Sequence, residues 1–194
     1  NLLKETYKTI EETSNSEEQV NNNRSNLFWT MMMIQSHNQQ KKEAFESLAQ
    51  WKKYRKANLD ESNQRWVDGH NASNYATEAW MHTLFGNYTK AKSLLKKHYD
   101  IASKWDDPSA LDNYNGVSGM VYVMEGNPSK ALEFFNDRIS PANYQYYSYF
   151  KALALKATQN KEAADDIFNF IANYNFASWE VGLTRELAKK ALES

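Results

Sequence analysis

Apolar residues recur three and four positions apart along almost the whole chain, and no segment keeps the strict alternation of a half-buried strand. That period puts the apolar side chains on one stripe of a helix, so the pattern predicts an all-α protein. The clearest stretch runs from about Tyr88 to Trp105. There Ala91, Leu94, Leu95, His98, Ala102 and Trp105 share one face, and Lys92, Lys96 and Lys97 lie mostly off it. Similar stripes occur at Phe45, Leu48 and Trp51, at Leu132 and Phe135, at Ala164, Phe168 and Ile171, and at Trp179, Leu183 and Leu187. Breaks are expected at Gly86-Asn87, Asp107-Pro108-Ser109, Gly126-Asn127-Pro128, Ser140-Pro141 and Gln159-Asn160, where turn-forming residues interrupt the period. Connections this short suit antiparallel helical hairpins.

The hairpins repeat. Gly119-x-x-Tyr122, Gly126-Asn127-Pro128-Ser129-Lys130-Ala131 and Phe135 are followed by Ala152-x-x-Leu155, Gln159-Asn160 and Ala164-x-x-x-Phe168. Upstream copies are Ala79-x-x-His82, Gly86-Asn87-Tyr88-Thr89-Lys90-Ala91 and Leu95, then Met32-x-x-Gln35, Gln39-Gln40 and Ala44-x-x-x-Leu48. A small residue lets two helices approach, a glycine ends the first helix in a left-handed turn, and Ala followed by a large side chain fills the junction between hairpins.

This order resembles the tetratricopeptide repeat (TPR) over about residues 24–175, most clearly in 111–172. The marker alanines Ala131 and Ala164 are 33 residues apart, a regular repeat length; the two upstream intervals are 40 and 47, with the extra residues chiefly in Asn58–Asn71 and around Asp106–Ser109. The family's frequent Trp at repeat starts and Pro at repeat ends are not regularly present. The resemblance implies a right-handed α-α superhelix of about four antiparallel hairpins. Residues 1–23 are expected to form an N-terminal helix, with Leu3, Tyr7 and Ile10 on one side, and a polar linker from Thr13 to Asn23. Residues 176–194 are expected to form a capping helix with Trp179, Leu183 and Leu187 inward and Arg185, Glu186, Lys189 and Lys190 outward.

Composition narrows the function. The 194 residues are 41% hydrophobic, enough for a core that removes roughly 70% of the unfolded chain's surface from water. With 23 Lys+Arg against 24 Asp+Glu, the chain is not built as a whole to attract nucleic acid or anionic lipid. Cysteine is absent, which removes disulfides, thiolate zinc sites and a Cys nucleophile. The longest mainly apolar stretch, Phe28–Ile34, is far short of the roughly 18 residues a membrane helix needs, so a soluble protein without a transmembrane segment is expected. The chain begins at Asn1 with no charged leader and apolar signal core, and is expected to be a processed product or an excised piece.

Chemistry-bearing motifs are sparse. Of His37, His70, His82 and His98, only His82 has a local carboxylate partner, Glu78, one turn away, and no HExxH motif occurs. His82 and His98 fall on packing positions and read as core histidines. No phosphate loop, nucleophile elbow or clustered carboxylate motif is found, so neither a catalytic residue, a metal nor a cofactor is expected. Residues 41–57 and 88–104 each carry a local balance of +4. Both read as solvated lysine faces on second helices, without the aromatic recognition motif of a specific nucleic-acid binder.

The first helices of the hairpins are the informative surface. Residues a turn away from the packing positions include Trp29, Met33 and His37, then Trp80, then Met120, then Tyr146, Tyr149 and Lys156. In the implied superhelix they line an aromatic and Met-rich concave groove, too poor in Lys and Arg to clamp an acidic C-terminal peptide. The sequence therefore reads as a non-catalytic scaffold that binds a protein or peptide, with an apolar or amphipathic segment held by Trp29, Met33, Trp80, Met120, Tyr146 and Tyr149. The same stripe could instead be core. A ligand-sensing regulatory module of a larger protein is the runner-up, and a small helical-toroid enzyme comes third.

Overall fold

Few helix-breaking residues and a recurring three-to-four period carry through into the computed structural model, which describes residues 2–137, 139, 144–175 and 178–193. Among the described residues there are ten α-helices and no strand. They are α1 (Leu2–Thr13), α2 (Glu17–His37), α3 (Lys41–Ala57), α4 (Gln64–Leu84), α5 (Tyr88–Ala102), α6 (Asp112–Met124), α7 (Pro128–Asn136), α8 (Tyr144–Ala157), α9 (Lys161–Ala172) and α10 (Trp179–Leu192). The expected Ser140-Pro141 break, and residues 176 and 177 at the start of the expected capping helix, lie outside the described residues. So do both chain ends, Asn1 and Ser194.

Four turns, α2 to α3, α4 to α5, α6 to α7 and α8 to α9, share one backbone design. Each has a residue of positive φ, in order Gln39 (59°), Gly86 (71°), Gly126 (89°) and Gln159 (64°). The next amide reaches back five residues: Gln40 to the Gln35 carbonyl (2.9 Å), Asn87 to His82 (2.8 Å), Asn127 to Tyr122 (2.8 Å) and Asn160 to Leu155 (2.9 Å). The positive-φ amide bonds the carbonyl three residues back, at 3.0 to 3.2 Å. Together these are the paired bonds of a Schellman motif, which satisfy carbonyls a helix end leaves open. Five residues past each left-handed position stands a fully buried alanine, Ala44, Ala91, Ala131 or Ala164, and four further on a buried Leu48, Leu95, Phe135 or Phe168. The repeated order in the sequence is therefore a repeated turn in space.

The chain forms two compact units, Asn1–Asn74 and Tyr75–Ser194. In the first, α2 and α3 make an extensive hairpin on which α1 packs. Tyr7 of α1 meets Phe28 (ring centroids 6.1 Å apart), Phe28 stacks on Tyr54 (5.8 Å), and Arg24 lies over both tyrosine rings while pairing with Glu11. The polar stretch expected to be a linker is helical from Glu17 onward. Ser16 accepts the Gln19 amide, the Gln19 side chain accepts the Asn15 amide, and Glu17 and Glu18 occupy the first turn, where the helix dipole favours acids. The extra residues before the second hairpin also fold differently from a long loop. Only Asn58–Asn63 connect α3 to α4, and the remainder lengthen α4 to 21 residues.

In the second unit α6 packs on α7 and α8, α7 on α8, and α8 and α9 on α10; α5 packs on α6. Close approach of α6 to its neighbours depends on two glycines. A Cβ on Gly119 would lie 2.5 Å from the Phe135 ring, and one on Gly116 would lie 2.5 Å from Tyr147. In α10 the buried face consists of Glu180, Val181, Thr184 and Ala188, and Leu187 is exposed. The expected inward stripe Trp179, Leu183, Leu187 is thus rotated, with Trp179 and Leu183 half-buried at its edge.

Candidate functional site

The residues expected to line the groove divide by burial. Met33, Trp80, Met120 and Tyr146 are 3%, 7%, 0% and 1% exposed, whereas Trp29 and Tyr149 are half-buried. Three of them meet inside the second unit. The Trp80 indole N–H of α4 donates to the Tyr146 hydroxyl of α8 (3.0 Å), and that hydroxyl lies 4.0 Å from the Met120 sulfur of α6. The Tyr146 ring also packs against Tyr147, Phe150 and Trp179 at centroid distances of 5.2 to 5.6 Å. Burial pushes the Tyr146 hydroxyl well above the ordinary phenol range, and the Trp80 bond offsets part of that rise. At these positions the sequence stripe is interior, and no ligand can reach it without opening the unit. Tyr149 belongs to the packing of α8 on α9, its ring 5.8 Å from Phe168.

The histidines stand on α2, α4 and α5. His98 is 3% exposed with its ring stacked on Tyr114, and His82 is partly buried beside Glu78, 3.9 Å away. Burial lowers the His37 imidazole to about 4. Among the described residues no three His, Asp or Glu side chains converge in a way that could hold a metal ion. Among the same residues no helix is long and apolar enough to cross a membrane.

Among the described residues, two surface features could receive a partner. The first is an aromatic hollow of about 180 Å³ in the second unit, formed by Leu95 and Lys92 of α5, Tyr114, Ser118, Val121 and Tyr122 of α6 and Phe134 of α7. Tyr122 stacks on Phe134 (5.5 Å), Tyr114 meets Phe134 edge-on (5.9 Å), and Tyr99, 43% exposed, continues the run against Tyr114 (5.1 Å). Lys92 and Lys130 sit over the Tyr122 and Phe134 rings at 4.8 and 5.7 Å and pair with Glu125 and Glu133, so the hollow has an apolar floor and a rim of ion pairs. Burial raises the Tyr114 hydroxyl above its usual range.

The second feature lies in the first unit, at the elbow from α3 to α4. One concavity of about 490 Å³ is bordered by Lys52, Lys56, Leu59, Glu61, Val67, His70 and Asn74, and an adjoining one of about 350 Å³ by Asn22, Arg55, Asn58, Arg65, Trp66 and Gly69; both include Leu59 and His70. Side-chain hydrogen bonds span the elbow. Ser62 bonds the Asp60 carboxylate through its amide (3.0 Å) and hydroxyl (2.6 Å), and the Asn63 side chain accepts the Trp66 amide (3.3 Å) at the start of α4. Asn58 donates to the Glu18 carbonyl (2.9 Å) and Asn22 (3.0 Å) and accepts from Asn21 (3.0 Å), tying the end of α3 to the opening of α2. Sequence reading found the basic run of α3 but not the elbow, because the extra residues between hairpins looked like a loop. Comparisons with protein-family models, curated proteins and solved structures find no match.

Proposed function

We propose that the protein is a non-catalytic helical-repeat scaffold whose four hairpins follow a TPR-like right-handed design and which binds an apolar or amphipathic segment of another protein. The observation that carries this reading is the fourfold turn: hairpins built on one repeated junction present side chains at regular intervals, and such surfaces serve recognition. The inner aromatics expected to form the groove are largely committed to the interior. Binding is therefore assigned to the hollow between α5, α6 and α7, where Tyr114, Tyr122 and Phe134 stay within reach of solvent. Its 180 Å³ suits one bulky apolar side chain of a partner, with the polar face of an amphipathic segment toward the Lys92–Glu125 and Lys130–Glu133 pairs.

Selection of peptides from a random library against the full chain tests this. The expected ligands carry an aromatic or large aliphatic anchor on an amphipathic segment, and lose at least tenfold in affinity to a Phe134→Ala variant of unchanged helical content. Ligands that bind Phe134→Ala as well as the unaltered chain would overturn the assignment of the hollow, and a library yielding no specific ligand would count against the scaffold reading itself.

A further inference from the structure

The elbow of the first unit carries a chemistry that peptide binding does not use. Its central cation, Arg55, is half-buried and lies 4.5 Å over the Trp51 ring, with one guanidinium nitrogen donating to Ser73 (3.2 Å) and Asn74 (3.1 Å). All of these partners are neutral, and among the described residues no carboxylate pairs with it. A cation in that setting has lost solvent without regaining an opposite charge, and burial accordingly holds Arg55 below the ordinary guanidinium range.

The surrounding charges reinforce the field. Lys52 and Lys56 stand one helical turn from Arg55 or beside it on α3, and Arg65 opens α4 across the elbow. The bordering carboxylate, Glu61, lies 3.5 Å from Lys56 and not on Arg55. His70, shared by both concavities, registers the result: burial first, then Arg55, Lys56 and Lys52 in turn, lower its pKa. Beside it Trp66 is 58% exposed, the most exposed large apolar side chain described, and Gly69 leaves open space where a side chain would stand. An exposed indole beside a cationic concavity offers a planar ring a stacking surface within reach of a phosphate site. Volumes of about 490 and 350 Å³ fall in the size range of small-molecule sites.

We propose that the elbow binds a small phosphate ester bearing a planar ring, the chemical class of a mononucleotide, with the phosphate toward Arg55, Lys52 and Lys56 and the ring on Trp66. The site is separate from the peptide hollow, and its failure would leave the scaffold reading untouched.

Calorimetric titration of the full chain with AMP, adenosine, inorganic phosphate and a short single-stranded RNA tests the proposal. AMP is expected to bind at least tenfold more tightly than adenosine or phosphate alone. Gly69→Leu removes no charge and places its Cβ in open space with the rest of the side chain in the concavity, so it should keep the fold and weaken AMP at least tenfold. Trp66→Ala should do the same, and Phe134→Ala in the other unit should leave AMP binding unchanged. The proposal is overturned by absence of saturable AMP binding, by equal affinity for phosphate and AMP, by AMP binding that Gly69→Leu does not affect, or by binding of the RNA but not AMP.

Discussion

Trp80 and Tyr146, 66 positions apart in the chain, are joined by a 3.0 Å hydrogen bond from the indole N–H to the phenol oxygen in the interior of the second unit. Tyr146 is 1% exposed and Trp80 7%, so the bond between them lies out of reach of water. Removing either half breaks a buried polar contact. Tyr146→Phe should destabilise the second unit by about 1 to 2 kcal/mol, and Trp80→Ala by about 3 to 5 kcal/mol through the cavity it leaves. Denaturant unfolding of both variants and of the Trp80→Phe, Tyr146→Phe pair checks this; a Trp80→Ala protein as stable as the unaltered one would place Trp80 outside the core.

Gly119 is a packing glycine. Its backbone lies so close to the Phe135 ring that an added Cβ would stand 2.5 Å from a ring carbon. Gly119→Ala gains about 1 kcal/mol of helix propensity but overpacks this contact, for an expected net loss of roughly 1 to 2 kcal/mol. Combining it with Phe135→Leu should recover part of the loss, which thermal melts of the single and double variants would detect. Ala131→Leu, at the fully buried junction of the same hairpin, should cost about 1 to 3 kcal/mol.

Two of the four turns place glutamine where the backbone is left-handed, Gln39 at φ 59° and Gln159 at φ 64°. A side chain there costs roughly 1 kcal/mol, and glycine removes that cost while adding some entropy to the unfolded chain. Gln159→Gly should therefore be neutral or stabilising by up to about 1 kcal/mol, whereas Gly126→Gln should destabilise by about 1 kcal/mol. Opposite signs in paired unfolding curves are the expected result; equal losses would show that the Gln side chains contribute contacts of their own.

The His37 imidazole is lowered by burial from 6.5 to about 4, so the folded state resists a proton that the unfolded chain accepts. Its stabilising contribution is complete above the unfolded value, declines as pH falls from about 6.5 towards 4, and is gone below that. With allowance for solvent around the ring, the loss should be about 1 to 2 kcal/mol between pH 7 and pH 4. Urea unfolding across that range should show a shallower decline for His37→Gln than for the unaltered chain.

Much of the architecture is legible in the residues. Ala91, Leu94, Leu95, His98 and Ala102 form the buried face of α5 as their spacing requires, and Ala44, Ala91, Ala131 and Ala164 mark the same junction four times. What periodicity could not resolve was which neighbour a stripe faces. It reports that Trp80 and Met120 seek cover; it does not distinguish a wall of a groove from the contact between first helices, which is where they lie. Polar side chains that satisfy themselves locally misled in the other direction. The Thr184 hydroxyl donates to the Glu180 carbonyl (2.7 Å), so a threonine can be fully buried and turn α10 until Leu187 faces solvent. The run from Glu17 to Asn23 looks like a linker until Ser16, Gln19 and the distant Asn58 supply its hydrogen bonds.

Asn58 has a consequence for the order in which the chain assembles. The α2–α3 hairpin is closed at one end by the turn through Gln39 and at the other by Asn58 on Asn21, Asn22 and Glu18, using contacts at most 40 positions apart. Closing that segment costs about 0.4 kcal/mol less chain entropy than bringing together Trp80 and Tyr146, 66 positions apart. The first hairpin is thus equipped to close slightly ahead of the interior of the second unit. Pulsed hydrogen exchange during refolding should protect amides of α2 and α3 before those of α6 and α8, and Asn58→Ala should delay that protection. In this sense a single carboxamide at the end of one helix sets the clock for the hairpin.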